Sequence, residues 1–103
     1  MPPVIARLLS AANSDPAVVA ACLTPDAVIV YDGMLFKGAA SAEAWRAESQ
    51  RRYPGMEIEP YDIQWNGDEL SLKMRLHGEF GGPKDRTCKF RMRGALIEGI
   101  DVY

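Results

Sequence analysis

The sequence has few of the residues that build metal sites and disulfide frameworks. Its 103 residues include one histidine, His77, and two cysteines, Cys22 and Cys88, which stand far apart and outside any CxxC spacing. Structural zinc sites and disulfide scaffolds need clusters of such residues, so neither is expected. We expect both thiols to be reduced, buried packing residues.

The sequence also lacks a strong charge of either sign and a long apolar run. The formal net charge is -2, which gives no global field that would point to nucleic acid or to an anionic membrane. Neither a signal peptide nor a segment of membrane-spanning length is recognisable, so a cytoplasmic protein is expected. A chain of this length predicts one domain, residues 1–103, with a single core.

The clearest pattern lies in residues 69–80, ELSLKMRLHGEF, where apolar and polar side chains alternate. A period of two predicts a strand that is buried on one face. The dipeptide Asn66-Gly67 predicts a hairpin that joins this strand to residues 57–65. Two further strands, 86–93 and 96–103, would complete a four-stranded antiparallel meander.

The first half of the chain predicts helices with one hairpin among them. A first helix is expected from Pro2 to Asn13, and a second one starts at Asp15-Pro16, where an N-cap precedes a proline. Residues 27–37 predict a short hairpin that turns at Asp32-Gly33. A third helix, residues 42–52, is expected to be capped by Ser41. Helices followed by a meander predict an α+β domain.

The apolar faces of the strands can be matched by counting along each hairpin. Around Asn66-Gly67, Tyr61 and Trp65 share a face with Leu70. The next hairpin, closed with Phe80 opposite Arg86, adds Phe90 to that face. Together with Trp45 of the third helix, these aromatic side chains either line a ligand cavity or pack as core.

The turn of the last hairpin determines whether Asp101 or Glu98 lies on the apolar face of the sheet. With Arg93-Gly94 at the centre of its turn, Asp101 lies on the apolar face, where a carboxylate must be paired, protonated or next to a cavity. The opposite parity would turn Glu98 inward instead. We favour the first arrangement, and the alternative to a chemical role for Asp101 is an ion pair with Arg86.

The other face of the sheet is expected to be mixed, and a second subunit or, less readily, an anion could cover it. Its cationic residues are Lys73, Arg75, His77, Lys89, Arg91 and Arg93, and its apolar residues are Ile58, Leu96, Ile100 and Val102.

The order of these elements resembles the nuclear transport factor 2-like superfamily and, within it, the SnoaL-like polyketide cyclase branch. The segments that carry the resemblance are DPAVVAACLTPDAVIVYDG followed by FKG, then HGEFGG, and finally GALIEGIDVY. The resemblance implies a cystatin-like α+β cone, with a pocket between a curved sheet and the helices. It also implies a homodimer through the outer sheet face and no metal or organic cofactor.

In the cyclases an aspartate on the last strand acts as general acid/base, assisted by a histidine, and these positions correspond to Asp101 and His77. Asp32 ends the first strand near the base of the isomerase branch, but it is also the first residue of an Asp-Gly turn, and we favour the turn as its role.

The sequence therefore leaves two functions open. The first is a small-molecule binding protein or enzyme that acts on a compact apolar carbonyl compound by proton transfer at Asp101, as an isomerase or cyclase does. The second is a non-catalytic homodimeric binding or assembly module in which the cone is filled.

Overall fold

The computed structural model of the chain describes residues 2–11, 16–38 and 41–103. The helices are α1 Pro3–Ala11, α2 Pro16–Ala21 and α3 Ser41–Arg52. The strands are β1 Leu23–Tyr31, β2 Met34–Lys37, β3 Glu57–Asn66, β4 Glu69–His77, β5 Lys84–Arg93 and β6 Leu96–Val102. The predicted cap Asp15 and the predicted helix end Asn13 lie outside the described residues. Among the described helices, none is long and apolar enough to cross a membrane.

One sheet of six strands carries the fold, in the order β2-β1-β6-β5-β4-β3. Its neighbours are antiparallel except for β1 and β6, which pair in parallel. The helices and the sheet form the α+β, cystatin-like cone that the resemblance implied. The hairpin between β3 and β4 forms where it was predicted, and Trp65 shares a face with Leu70 as expected. Its turn is centred on Gly67 and Asp68 instead of Asn66 and Gly67, because Asn66 pairs with Glu69.

The core follows the alternation of β4. Leu70, Leu72, Met74 and Leu76 are buried on one face, and the side chains between them reach solvent at least partly. Removal of each large apolar side chain from water stabilises the fold by about 1.5–3 kcal/mol. The helices add Ile5 and Leu8 of α1 and Val19 of α2 to this face, while β1 adds Ile29 and β5 adds Phe90.

A β-bulge turns Tyr61 away from the face predicted for it. In β3, Pro60 pairs with Met74 but Asp62 pairs with Lys73, so Tyr61 is an extra residue between them. Its ring lies 5.1 Å from the guanidinium carbon of Arg75, on the outer side of the sheet. The prediction that Tyr61 shares the inner face is therefore wrong, because an extra residue reverses the alternation.

A second irregularity reverses the faces of β6. Arg93 pairs with Leu96, so Gly94 and Ala95 form the centre of the turn, and the register shifts again between Arg91 and Met92. In the shifted register Lys89 pairs with Asp101. Asp101 is exposed on the outer face, and the prediction that it faces the core is wrong.

Because of the same shift, the outer face has fewer apolar residues than predicted. Ile100 and Val102 are buried in the core instead of lying on the outer face. Ile58 also lies on the inner side of the sheet, so only Leu96 of the four predicted apolar residues remains outside. A Cβ atom at Gly99 would lie 3.0 Å from Nη2 of Arg91, because the arginine side chain crosses the outer face at that point.

Candidate functional site

A cavity lies between the concave face of the sheet and the three helices. Its volume is about 40 Å³, which is room for about three water molecules. The wall is mostly apolar, with Leu8 and Val19 on the helix side and Met74, Leu76 and Phe90 on the sheet side. A cavity of this kind suits a small, largely apolar ligand.

Two of the predicted site residues, Trp45 and Phe90, line this cavity. Phe90 is fully buried at the centre of β5. Trp45 is half-buried on α3, and its indole Nε1 is buried without a hydrogen-bond partner among the residues that the structure describes. The cavity therefore meets the indole ring of Trp45 on one side and the sheet on the other.

Arg86 is the charged residue of β5 that turns toward the cavity. It follows the same alternation as Cys88 and Phe90, and its side chain is only 12% exposed. Nη1 donates to the Tyr53 hydroxyl at 2.9 Å and Nη2 donates to Asp32 Oδ1 at 2.5 Å. Burial by itself lowers the pKa of Arg86, but the hydrogen bonds and charges of these partners raise it above its usual value.

Asp32 stands behind Arg86, at the surface end of the site. It follows β1 in the predicted Asp-Gly turn, with a φ of 48° that aspartate tolerates better than most residues. Its second oxygen accepts a hydrogen bond of 2.7 Å from Nη1 of Arg52. Asp32 is thus both a turn residue and the counter-ion of two arginines.

Tyr31 supports both of these arginines. The guanidinium carbons of Arg52 and Arg86 lie 4.9 and 5.6 Å from the centre of its ring. The ring also lines the cavity, and burial raises the pKa of the phenol above its usual value. Cations over an aromatic face are attracted to it, so Tyr31 helps to fix the position of Arg86.

The structure places the other predicted site residues outside the cavity. His77 lies on the outer face, with Nε2 at 3.1 Å from Glu59 Oε1, and Asp101 lies on that face opposite Lys89. Trp65 is 53% exposed on the edge strand β3, although it shares a face with Leu70 as predicted. The site therefore contains Trp45 and Phe90, with Asp32 joined to them through Arg86.

Sequence reasoning missed Arg86 as a site residue. A signal was present, since Arg86 alternates with Cys88 and Phe90 and so had to share their apolar face. The test applied to Asp101, a charge directed at a core, selects Arg86 on β5 as well. Cys88 also lines the cavity, but burial raises the pKa of its thiol to about 12, which excludes an activated thiolate.

A groove of about 460 Å³ runs outside the cavity, between α1 and the start of β3. The cavity and the groove share Leu9, Met56 and Ile58 as lining residues. Only a thin layer of side chains therefore separates the cavity from solvent on this side. Within the described ranges, no three His, Cys, Asp or Glu side chains are grouped to hold a metal ion.

Comparison with solved structures identifies the fold. A protein from Sinorhizobium meliloti, named as a candidate polyketide cyclase, matches with a TM-score of 0.89 at 20% identity, over 100% of this chain and 95% of that one. A Catenulispora acidiphila protein with a ketosteroid isomerase-like fold matches with a TM-score of 0.85 at 17% identity, over 100% and 85% of the two chains. The chain has the nuclear transport factor 2-like fold. No family model matches the sequence, and no curated protein matches it.

The SnoaL-like branch of the nuclear transport factor 2-like fold is represented as well. A Jannaschia sp. protein, named as a candidate SnoaL-like polyketide cyclase, matches with a TM-score of 0.82 at 16% identity, over 97% of this chain and 81% of that one. The predicted resemblance is therefore confirmed in three dimensions. At these identities it establishes an isomerase/cyclase-type fold for this chain and nothing finer.

Proposed function

We propose that this protein binds a compact, largely apolar small molecule in the cavity of its cone. The observation that carries the proposal is the cavity itself, which has apolar side chains from both layers and Trp45 in its wall. Burial of apolar ligand surface in such a space is favourable, and the small volume selects for ligands of few non-hydrogen atoms.

The structural neighbours support a small ligand of this kind. The Catenulispora acidiphila protein is in complex with trimethylamine, a molecule with only four non-hydrogen atoms. We propose a ligand of similar bulk for this chain, with the carbonyl group that the resemblance implies. The single domain of residues 1–103 and the cytoplasmic location stay predictions from the sequence.

Binding is a better proposal than proton transfer by an aspartate. Such a reaction needs a carboxylate beside the ligand, and Asp101 lies on the other side of the sheet. Asp32 is nearer, but it is held by Arg52 and Arg86 at the surface end of the site. Each of its two oxygens accepts a hydrogen bond from one of these arginines, and Asp32 is not among the residues that line the cavity. The proposal therefore includes no acid/base role for Asp101 or His77.

The fluorescence of Trp45 tests this proposal. Replacement of the exposed Trp65 (W65F) leaves Trp45 as the only tryptophan, so emission then reports on the cavity wall. Titration with 2-methylpropene, which has four non-hydrogen atoms, should give a saturable shift of emission to shorter wavelength, since the ligand displaces water from the cavity. The matched variant W45F retains only Trp65 and should show no saturable shift. An unchanged emission of W65F at all concentrations would contradict the proposal.

We also propose a homodimer through the outer face of the sheet. This face exposes Leu35 and Tyr103 to 58% and 52%, beside the half-buried Val28 and Val30 of β1. A second copy would cover these side chains and the charges around them.

Sedimentation at micromolar concentration tests the dimer. A glutamate at Leu35 (L35E) should raise the dissociation constant at least tenfold, because it places a charge in the covered area. The matched variant I63E alters an exposed apolar residue of β3 on the inner side of the sheet and should leave the dimer intact. A wild-type protein that sediments as a monomer would exclude this interface.

A further inference from the structure

Two unpaired hydrogen-bond donors lie in the wall of the cone cavity. Nε1 of Trp45 and Nε of Arg86 are both buried, and neither has a partner among the described residues. A donor removed from water without an acceptor costs free energy, so both groups gain from a ligand acceptor.

The two donors come from opposite layers of the molecule. Trp45 belongs to α3 and Arg86 to β5, and both residues line the same cavity. With a volume of about 40 Å³, the cavity holds only a few atoms, so a ligand group in it contacts both layers. One ligand oxygen with two lone pairs can accept from both sides.

The neighbours of Arg86 leave Nε as the donor for a ligand. Its terminal nitrogens donate to Tyr53 and Asp32, outside the cavity wall. These bonds orient the guanidinium plane, so Asp32 and Tyr53 are positioning residues. Asp32 also balances the charge of Arg86, and an oxygen without formal charge therefore suffices as acceptor. An ionised ligand would add an uncompensated charge to a mostly apolar space.

We propose that Trp45 and Arg86 together bind the carbonyl oxygen of a neutral ligand, and that this donor pair sets the specificity of the site. The inference rests on the proposed function, because it names the groups that hold the ligand of that same cavity.

The test compares two probes of equal shape, acetone and 2-methylpropene, which have four non-hydrogen atoms each and differ in an oxygen against a methylene group. Water solvates the ketone better than the alkene, so their dissociation constants differ for reasons outside the site. The informative quantity is therefore the ratio of the ketone's dissociation constant to that of the alkene, compared between wild type and each variant. Removal of the indole donor (W45F) should shift this ratio against the ketone by about fivefold. The variant R86K keeps a cation for Asp32 but loses the Nε donor, and it should shift the ratio by about tenfold. The control W65F should leave the ratio unchanged.

A measurement on the wild-type protein supports the variants. Nitrogen-15 correlation spectra contain two indole N–H resonances, which W45F and W65F assign. Acetone should move the Trp45 resonance downfield because the indole then donates to the ketone oxygen, and 2-methylpropene should not.

The outcomes separate the two proposals. If neither probe binds to the wild-type protein, the proposed function fails and this inference fails with it. If both probes bind but the ratio is the same in wild type, W45F and R86K, the cavity is a binding site and the donor pair is contradicted.

Discussion

Glu48 links the last turn of α3 to the charged side of the site. Its carboxylate accepts hydrogen bonds from Arg51 and from Nε of Arg52, the latter at 2.8 Å. Arg52 continues to Asp32, which in turn pairs with Arg86. A row of alternating charges therefore runs from the helix to the cavity and holds the guanidinium of Arg86 in place.

These hydrogen bonds lower the pKa of Glu48 from 4.5 to about 2. A lowered carboxylate pKa stabilises the fold at pH values above 4.5, and this contribution is lost as the pH falls from 4.5 toward 2. The variant E48Q should therefore be less stable than wild type at pH 6, and the difference should narrow by pH 3. Urea unfolding at several pH values measures it. The control is E79Q, which alters an exposed glutamate in the loop after β4. If the difference in unfolding free energy between wild type and E48Q stays constant with pH, the prediction is contradicted.

Individual residues could be predicted from the sequence only as far as the strand alternation held. Trp45 and Phe90 lie on the inner side that helix spacing and strand parity predicted, and both line the cavity. Asp101 and Tyr61 lie on the other face, since each follows a register shift that no turn residue announces. The inward direction of Arg86 could be predicted by strand parity. Its ion pair with Asp32 could not, because Asp32 lies in a turn that is distant in the sequence.

Among the strands, hairpins between neighbouring segments could be predicted from the sequence, and pairing between distant segments could not. Asn66-Gly67 predicted the hairpin between β3 and β4 and the face that Trp65 shares with Leu70, although the turn itself is centred on Gly67 and Asp68. In the next hairpin Arg86 pairs with Met74 instead of the predicted Phe80. The strands have slid by an even number of residues, so the apolar faces still coincide although the register is different.

The first strand shows what the sequence could not predict. β1 begins at Leu23, four residues before the expected Ala27, and the additional residues include Pro25. Leu23 pairs with Ile97 of β6, and the register then shifts before Val28. Parallel pairing joins distant parts of the chain without a turn between them, so local periodicity does not reveal it.

In the molecule as a whole, the three described helices cover the concave face of the sheet, and a small apolar space remains between the two layers. Side chains that fill the cone elsewhere, such as Leu70 and Leu72, are fully buried, so the cavity lies beside a well-packed core. A remaining space next to two unpaired donors is more easily explained by a ligand than by defective packing.

The outer face of the molecule differs from the inner face in its charges. Arg91 and Arg93 pair with Glu98, and Arg75 pairs with Asp85, so three of the six predicted cationic residues are neutralised locally. This pairing explains how like charges are tolerated across neighbouring strands. It also leaves the apolar residues near β1 and β2 as the part of the face that a second copy would cover.

The most direct test of a ligand site in the cone is a crystal structure of the protein soaked with acetone. We expect density for one molecule in the cavity, against the indole of Trp45 and the ring of Phe90, with its oxygen toward Nε of Arg86. A structure at saturating ketone in which side chains fill the cavity, or in which the molecule binds only elsewhere, would contradict a ligand site in the cone.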